Sequence, residues 1–159
     1  MKTLLLVRHA NALHKSTEGD FERQLSPTGL KEALLMANKV KEAGHIPQLI
    51  ISSEAARAKT TAIIFADTLG LPAPQTQMAI YDGNEKKLLN IINKFPDETD
   101  SIALVGHNPD ITNLLFLLTG KHIDVPTCTV ALLSFEFNEW EAISRNTGDL
   151  DWYASPEQH

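Results

Sequence analysis

The stretch Leu4-Leu5-Leu6-Val7-Arg8-His9-Ala10 decides how the rest of the chain is read. Four apolar residues in a row, with no polar alternation, describe a strand buried on both faces, as in a parallel sheet covered by helices. Arg8 and His9 follow at once, at the carboxyl end of that strand. Downstream, Ser26-Pro27 reads as a helix start, with Ser26 capping and Pro27 at the first helical position. Leu30, Ala33, Leu34, Ala37 and Val40 then recur at helical spacing, and Gly44 suits the stop.

The same grammar repeats along the chain. Leu49 to Ile51 is a second buried strand, Ser53 caps a helix from Glu54 to about Leu69, and Gly70 and Pro72 close it. Gln77 to Tyr81 reads as a weak third strand and Glu85 to Phe95 as a helix with Leu88, Leu89, Ile91 and Ile92 inward. Ile102 to Val105 is a fourth strand, followed by Gly106-His107-Asn108-Pro109 and an apolar helix to Leu118. Thr129 to Phe137 and Trp140 to Ser144 flank Asn138-Glu139 as a closing antiparallel pair. With no repeat, linker or low-complexity segment, the expectation is one domain over residues 1–159, a three-layer α/β/α sandwich whose sheet is mostly parallel with an antiparallel C-terminal strand.

Composition narrows the function. The 159 residues are 43% apolar, enough for a core without disulfides or metal, and 14 Lys+Arg against 20 Asp+Glu leave a net charge of -6. No basic tail or cluster favours nucleic acid. The apolar run before Arg8 is too short for a signal peptide, and Ile111 to Leu118 is too short to span a bilayer. The single cysteine, Cys128, cannot pair within the chain, which fits a reduced, cytoplasmic setting. Expected partners therefore exclude nucleic acid and membrane.

Three strand ends carry polar groups of one character: Arg8-His9, Ser52-Ser53 with Arg57, and His107-Asn108. Ligands of open α/β sheets bind outside the carboxyl ends of the strands, so these groups are expected to converge. Two arginines and two histidines with no carboxylate among them suit an anion, best a phosphoryl group, since guanidinium forks match its oxygens. Helix N-termini near Ser53 and Pro109 add positive potential. Each residue also has a plainer reading. Arg57 could pair with Glu54 one helical turn away, and His107 could be a satisfied core histidine.

In order along the chain, Leu6-Val7-Arg8-His9-Ala10, Leu25-Ser26-Pro27-Thr28-Gly29, Ser52-Ser53 through Arg57-Ala58 to Thr60, and Val105-Gly106-His107-Asn108-Pro109 resemble the motifs of the histidine phosphatase (phosphoglycerate mutase-like) superfamily. The short chain and the Arg-His-Ala variant are similar to the SixA-type phosphohistidine phosphatases. The resemblance implies that His9 is the nucleophile, passing through a phosphohistidine, and that Arg8, Arg57 and His107 hold the phosphoryl oxygens. Asn108 and Arg23 would line the pocket, and the mechanism it implies needs neither metal nor cofactor.

Two departures from the family pattern matter. Ala10 stands where glycine is usual, so position 10 cannot need a positive φ. Larger members carry an acid in an insertion between the second arginine and second histidine, but only 50 positions separate Arg57 from His107 here. Asp82, which also reads as a turn residue before Gly83, and Glu85 are the nearest candidates for that acid. A thin acid supply suits a good leaving group such as phosphohistidine on a protein. A small-molecule phosphomonoesterase and a catalytically weak phospho-binding module are the alternatives.

Rival motifs are absent: no Gly-x-Ser-x-Gly elbow, phosphate-binding glycine loop or His-Glu-x-x-His helix occurs. Cys128 lacks the arginine of a cysteine phosphatase six positions on and reads as a strand-packing residue. Asp149-Leu150-Asp151 reads as a polar tail, and His14, His45, His122 and His159 receive no role.

Overall fold

The computed structural model describes residues 1–156; the terminal His159, and the last residues of the expected 1–159 domain, lie outside the described residues. Its strands are β1 (Lys2–Arg8), β2 (Leu49–Ser53), β3 (Gln75–Gln77), β4 (Ser101–Gly106), β5 (Val130–Phe135) and β6 (Asp149–Ala154). Its α-helices are α1 (Pro27–Ala43), α2 (Ala56–Leu69), α3 (Met78–Tyr81), α4 (Glu85–Asn93) and α5 (Asp110–Thr119). The strands form one sheet in the order β3-β2-β4-β1-β5-β6. β3, β2, β4 and β1 pair in parallel, β5 runs against β1, and β6 runs against β5. Only β5 therefore opposes the common direction, and the fold is the expected α/β sandwich.

The apolar run of β1 explains the layering. Leu4 and Leu6 point into a core with Leu88 and Ile92 of α4 and Leu114 and Leu118 of α5. Leu5 and Val7 point the other way, into a core with Ala33 and Ala37 of α1 and Ala58, Ala62 and Phe65 of α2. A strand buried on both faces has no polar side to alternate.

Helix α1 starts and stops as its sequence implies. The Ser26 hydroxyl accepts from the Gly29 N–H, and Gly44 closes the helix in the left-handed conformation. Gly29 lies against the loop that follows His9, and a Cβ there would strike the Asn11 carbonyl. The buried stripe is Gly29, Ala33, Met36, Ala37 and Val40, whereas Leu30 and Leu34 flank it and stay exposed. Small residues win this stripe because α1 packs against the alanine-rich face of α2.

Four local expectations are corrected. Ser53 does not cap α2; it ends β2, and the helix begins three residues later behind Ala55, whose N–H the Ser53 hydroxyl accepts. The third strand is Gln75–Gln77, and Met78–Tyr81 turns as a helix that buries Ile80 and carries Tyr81 toward the site. Trp140 to Ser144 is no strand: Trp140–Ala142 is a 3-10 turn, its indole N–H donating to the Thr99 carbonyl over the buried Lys2. The partner of β5 is β6, so Asp149-Leu150-Asp151 opens a strand and is not a tail. The apolar content of Trp140 and Ile143 serves the amino end of the sheet, while Leu150, Trp152 and Ala154 supply the alternation of an edge strand.

Candidate active site

Backbone hydrogen bonds join three segments at the carboxyl ends of β1 and β4. The His9 N–H donates to the Gly106 carbonyl (3.0 Å), and the His9 carbonyl accepts from the Cys128 N–H (3.0 Å). The Ala10 N–H donates to the Thr61 hydroxyl (3.0 Å), which donates in turn to the Arg57 carbonyl (2.8 Å). Thr61, which the motif reading passed over, thus ties the loop after β1 to the first turns of α2. Ala10 has no positive φ, so its methyl group costs no strain.

His9 and His107 are each 8% exposed, with ring centroids 5.2 Å apart. His9 Nδ1 is 2.8 Å from the Ala10 carbonyl. A carbonyl only accepts, so Nδ1 carries the proton and Nε2 keeps its lone pair. Burial, reinforced by the guanidiniums of Arg57, Arg8 and Arg23, lowers the His9 pKa to about 4. For His107, burial and then His9 and Arg57 lower it to about 3. Both imidazoles are therefore neutral at pH 7.

The guanidiniums supply donors. Arg57 is 5% exposed and gives one N–H to the Asp20 carbonyl (2.8 Å) and one to its carboxylate (3.1 Å). Three of its five donors remain. Arg8 gives one N–H to the Val125 carbonyl (2.9 Å). Among the described residues, four buried side-chain polar atoms have no partner: Arg8 Nε, Arg57 Nε, His107 Nδ1 and the Thr129 hydroxyl. Buried polar groups are nearly always satisfied, so an orphan cluster calls for an explanation. Three of these four belong to the residues singled out at the strand ends.

Asp20 is a second residue that sequence reasoning missed. Its carboxylate accepts from Arg57, from Arg23 Nε (3.0 Å) and from the Tyr81 hydroxyl (2.7 Å), and Tyr81 stands edge-on to His107. The Tyr81 hydrogen bond, then those of Arg23 and Arg57, hold its pKa down to about 2. Arg23 is thereby placed at the rim, bonded also to the Leu13 carbonyl. No motif or periodicity marked Asp20, which lies in a polar loop. Arg57 pairs with Asp20 and not with Glu54.

The other candidates sit further out. Asn108 donates its amide N–H to the Val125 carbonyl and its oxygen accepts from the Thr112 N–H and hydroxyl, so it braces the start of α5 against the 122–126 segment. Asp82 is exposed at the end of α3, its backbone N–H donating to the Met78 carbonyl, and among the described residues its carboxylate has no hydrogen bond or ion pair. Glu85 opens α4, where its charge helps raise the pKa of Asp110, behind burial as the larger cause. Cys128 is buried in the turn before β5 with φ 58°, and not within the strand. Among the described residues no group of three or more His, Cys, Asp or Glu is placed to hold a metal ion. No described helix is long and apolar enough to cross a membrane.

The profile of the histidine phosphatase superfamily (branch 1) matches residues 4–80, and an uncharacterized chloroplastic protein of Arabidopsis thaliana is 31% identical over 95% of this chain and 74% of its own length. The chain belongs to the histidine phosphatase superfamily. A crystal structure from Agrobacterium tumefaciens that carries the SixA phosphohistidine phosphatase designation superposes with a TM-score of 0.82 at 26% identity, covering 98% of both chains. A mycobacterial glucosyl-3-phosphoglycerate phosphatase shares the fold at a TM-score of 0.68 and 18% identity, over 98% of this chain and 100% of its own. As a member of this superfamily the protein is a phosphatase of SixA type.

The depressed histidines make acid sensitivity testable. At pH 7 the unfolded imidazoles, near pKa 6.5, are neutral as the folded ones are, so neither state is favoured. As pH falls below about 6.5 the unfolded chain takes up protons that folded His9 and His107 refuse until about 4 and 3. Stability is thus lost on acidification through that window, by roughly 2 kcal/mol per histidine at pH 5. Urea midpoints at pH 7 and 5 read this out, and His9→Asn should flatten the slope by its share. An unchanged slope, or an imidazole 15N titration of His9 near 6.5, would contradict the burial argument.

Proposed function

We propose that this phosphatase hydrolyses phosphohistidine carried on a protein, through a phosphoryl intermediate on His9. The observation that carries the substrate class is the state of Asp20. It is the one carboxylate hydrogen-bonded to the candidate site among the described residues, and Tyr81, Arg23 and Arg57 keep it ionised. A group held at a pKa of about 2 has no proton to give an alkoxide near neutral pH. An imidazole leaving group asks for far less help.

The His9 Nε2 lone pair attacks phosphorus while the phosphorus–nitrogen bond to the substrate imidazole breaks, and that imidazole departs with a proton from solvent. Water then attacks the phosphoryl group on His9, releasing phosphate and restoring the lone pair. Throughout, Nδ1–H donates to the Ala10 carbonyl, fixing the ring and steadying the positive charge that phosphorylation brings. Arg8, Arg57 and His107 hold the phosphoryl oxygens with the donors that no protein atom engages. Arg23 and Asn108 shape the rim, and the cycle needs neither metal nor cofactor. Asp82 and Glu85 take no part in this reading.

Access supports a protein substrate. The chain between Arg57 and His107 is taken up by the rest of α2, by β3, α3, α4 and β4, leaving no insertion to cover the site. A groove of about 500 Å³ bounded by Asn108, Thr112, Asp124 and Val125 adjoins it and would accept residues flanking the phosphohistidine. The single buried Cys128 supports a cytoplasmic setting. In excess EDTA, kcat/KM for a phosphohistidine-bearing protein should exceed that for glycerol phosphate by at least about 10²-fold. Faster turnover of the ester would overturn the substrate assignment in favour of a small-molecule phosphomonoesterase.

A further inference from the structure

The Ser53 hydroxyl lies 2.8 Å from His107 Nε2, and both residues are buried, Ser53 completely. A hydroxyl has one proton and two lone pairs. The Ala55 N–H donates to the same oxygen at 3.1 Å, taking one lone pair. If Nε2–H donated to the other, the serine proton would be left in the interior with no acceptor among the described residues. Stranding a buried donor is unfavourable, because it gives up its bond to water and gains none in return. In the opposite arrangement the hydroxyl donates to Nε2, and every atom of Ser53 is satisfied.

We infer that Ser53 is a positioning residue that fixes His107 as its Nδ1–H tautomer, so that the ring presents a donor, and not a lone pair, to the phosphoryl group. The inference rests on the proposed role of His107. Two further observations agree with it. Nε2 is already engaged, so Nδ1 is the ring nitrogen left to meet a ligand, and it is one of the buried orphan atoms. The two histidines then carry the same tautomer for opposite ends. In His9 the Ala10 carbonyl holds the Nδ1 proton and leaves Nε2 free to attack. In His107 a donor holds Nε2 and leaves the Nδ1 proton free to bind. The pKa of His107, pushed down to about 3 by burial, keeps the ring neutral and makes the choice of tautomer consequential.

This placement gives the Ser-x-x-x-Arg spacing a physical meaning. Ser53 ends β2 beside β4, within reach of His107 just past the end of that strand, while Arg57 is the second residue of α2. One short segment thus supplies a phosphate clamp and the group that sets the second histidine. Position 53 was read from sequence as a helix cap, a role that Ala55 fills without a side-chain bond.

The test combines a spectroscopic and a kinetic readout. Imidazole 15N shifts at pH 7 should show His107 protonated at Nδ1 in the wild-type protein, and a mixed or Nε2–H population in Ser53→Ala. The same variant should lose about tenfold in kcat with KM little changed, a fraction of what losing a whole oxyanion donor costs. Ser53→Thr, which keeps the hydroxyl, should restore both. An Nε2–H tautomer in the wild type, or Ser53→Ala with unaltered shifts and kcat, would overturn the inference. Failure of the underlying reading is separate: it would appear as wild-type activity unaffected by His107→Ala.

Discussion

His9→Ala should reduce phosphate release to the level of the uncatalysed reaction, a loss on the order of 10⁴-fold or more. The substitution removes the one buried nitrogen that combines a free lone pair with a fixed direction. It leaves the scaffold intact, because the His9 N–H and carbonyl that bond Gly106 and Cys128 are backbone groups, as is the Ala10 N–H that meets Thr61. Among the described residues, the one side-chain hydrogen bond lost is that to the Ala10 carbonyl, worth about 1 kcal/mol. A urea midpoint near the wild-type value at pH 7 would therefore accompany the inactivity. Activity above a few per cent of wild type would remove His9 from the mechanism.

Arg57→Ala should cost roughly 10²- to 10³-fold in kcat/KM, because a preorganised cation aimed at the charge of the transition state is lost. Three of its donors, one of them the orphan Nε, stay uncommitted to protein atoms and free for the phosphoryl oxygens. Arg57→Lys should recover part of this, since it keeps the charge without the fork. Stability should change little through the ion pair: the Asp20 side chain is half exposed and retains Arg23 and Tyr81. Initial rates across substrate concentrations decide the matter. Wild-type kcat/KM in Arg57→Ala would mean that its role is to hold Asp20 and not the phosphoryl group.

How much of this was legible in the sequence differs by kind of signal. The strands and helices that carry the layers were readable because burial on two faces leaves a continuous run, as in Leu4 to Val7, and because Ser26-Pro27 and Gly44 mark ends by local backbone chemistry. The closing hairpin differs from the expectation because Trp140 and Ile143 are apolar for a tertiary reason, Trp140 lying over the buried Lys2 and Ile143 packing into the core. Nothing local distinguishes such a plug from a strand.

The site shows the same division. Arg8, His9, Arg57 and His107 stand at strand ends or one turn beyond, so the rule that ligands gather there brought them together. Asp20 and Tyr81 meet only because a loop without periodicity folds back across α2 and α3, a contact 61 residues apart in sequence. Ser53 was visible but read in its commonest role. Its partner is 54 residues away, and only the pairing of β2 with β4 reveals it.

The central claim is a covalent phosphoryl group on His9, and rapid acid-free quenching tests it most directly. The enzyme in EDTA would be mixed with a 32P-phosphohistidine protein, denatured in alkali within milliseconds, digested, and its labelled peptide identified by mass spectrometry. The mechanism predicts acid-labile, alkali-stable label on the peptide bearing His9, appearing before free phosphate and absent from His9→Ala. Phosphate released by wild-type enzyme with no labelled enzyme at any time, or with label on another residue, would contradict it.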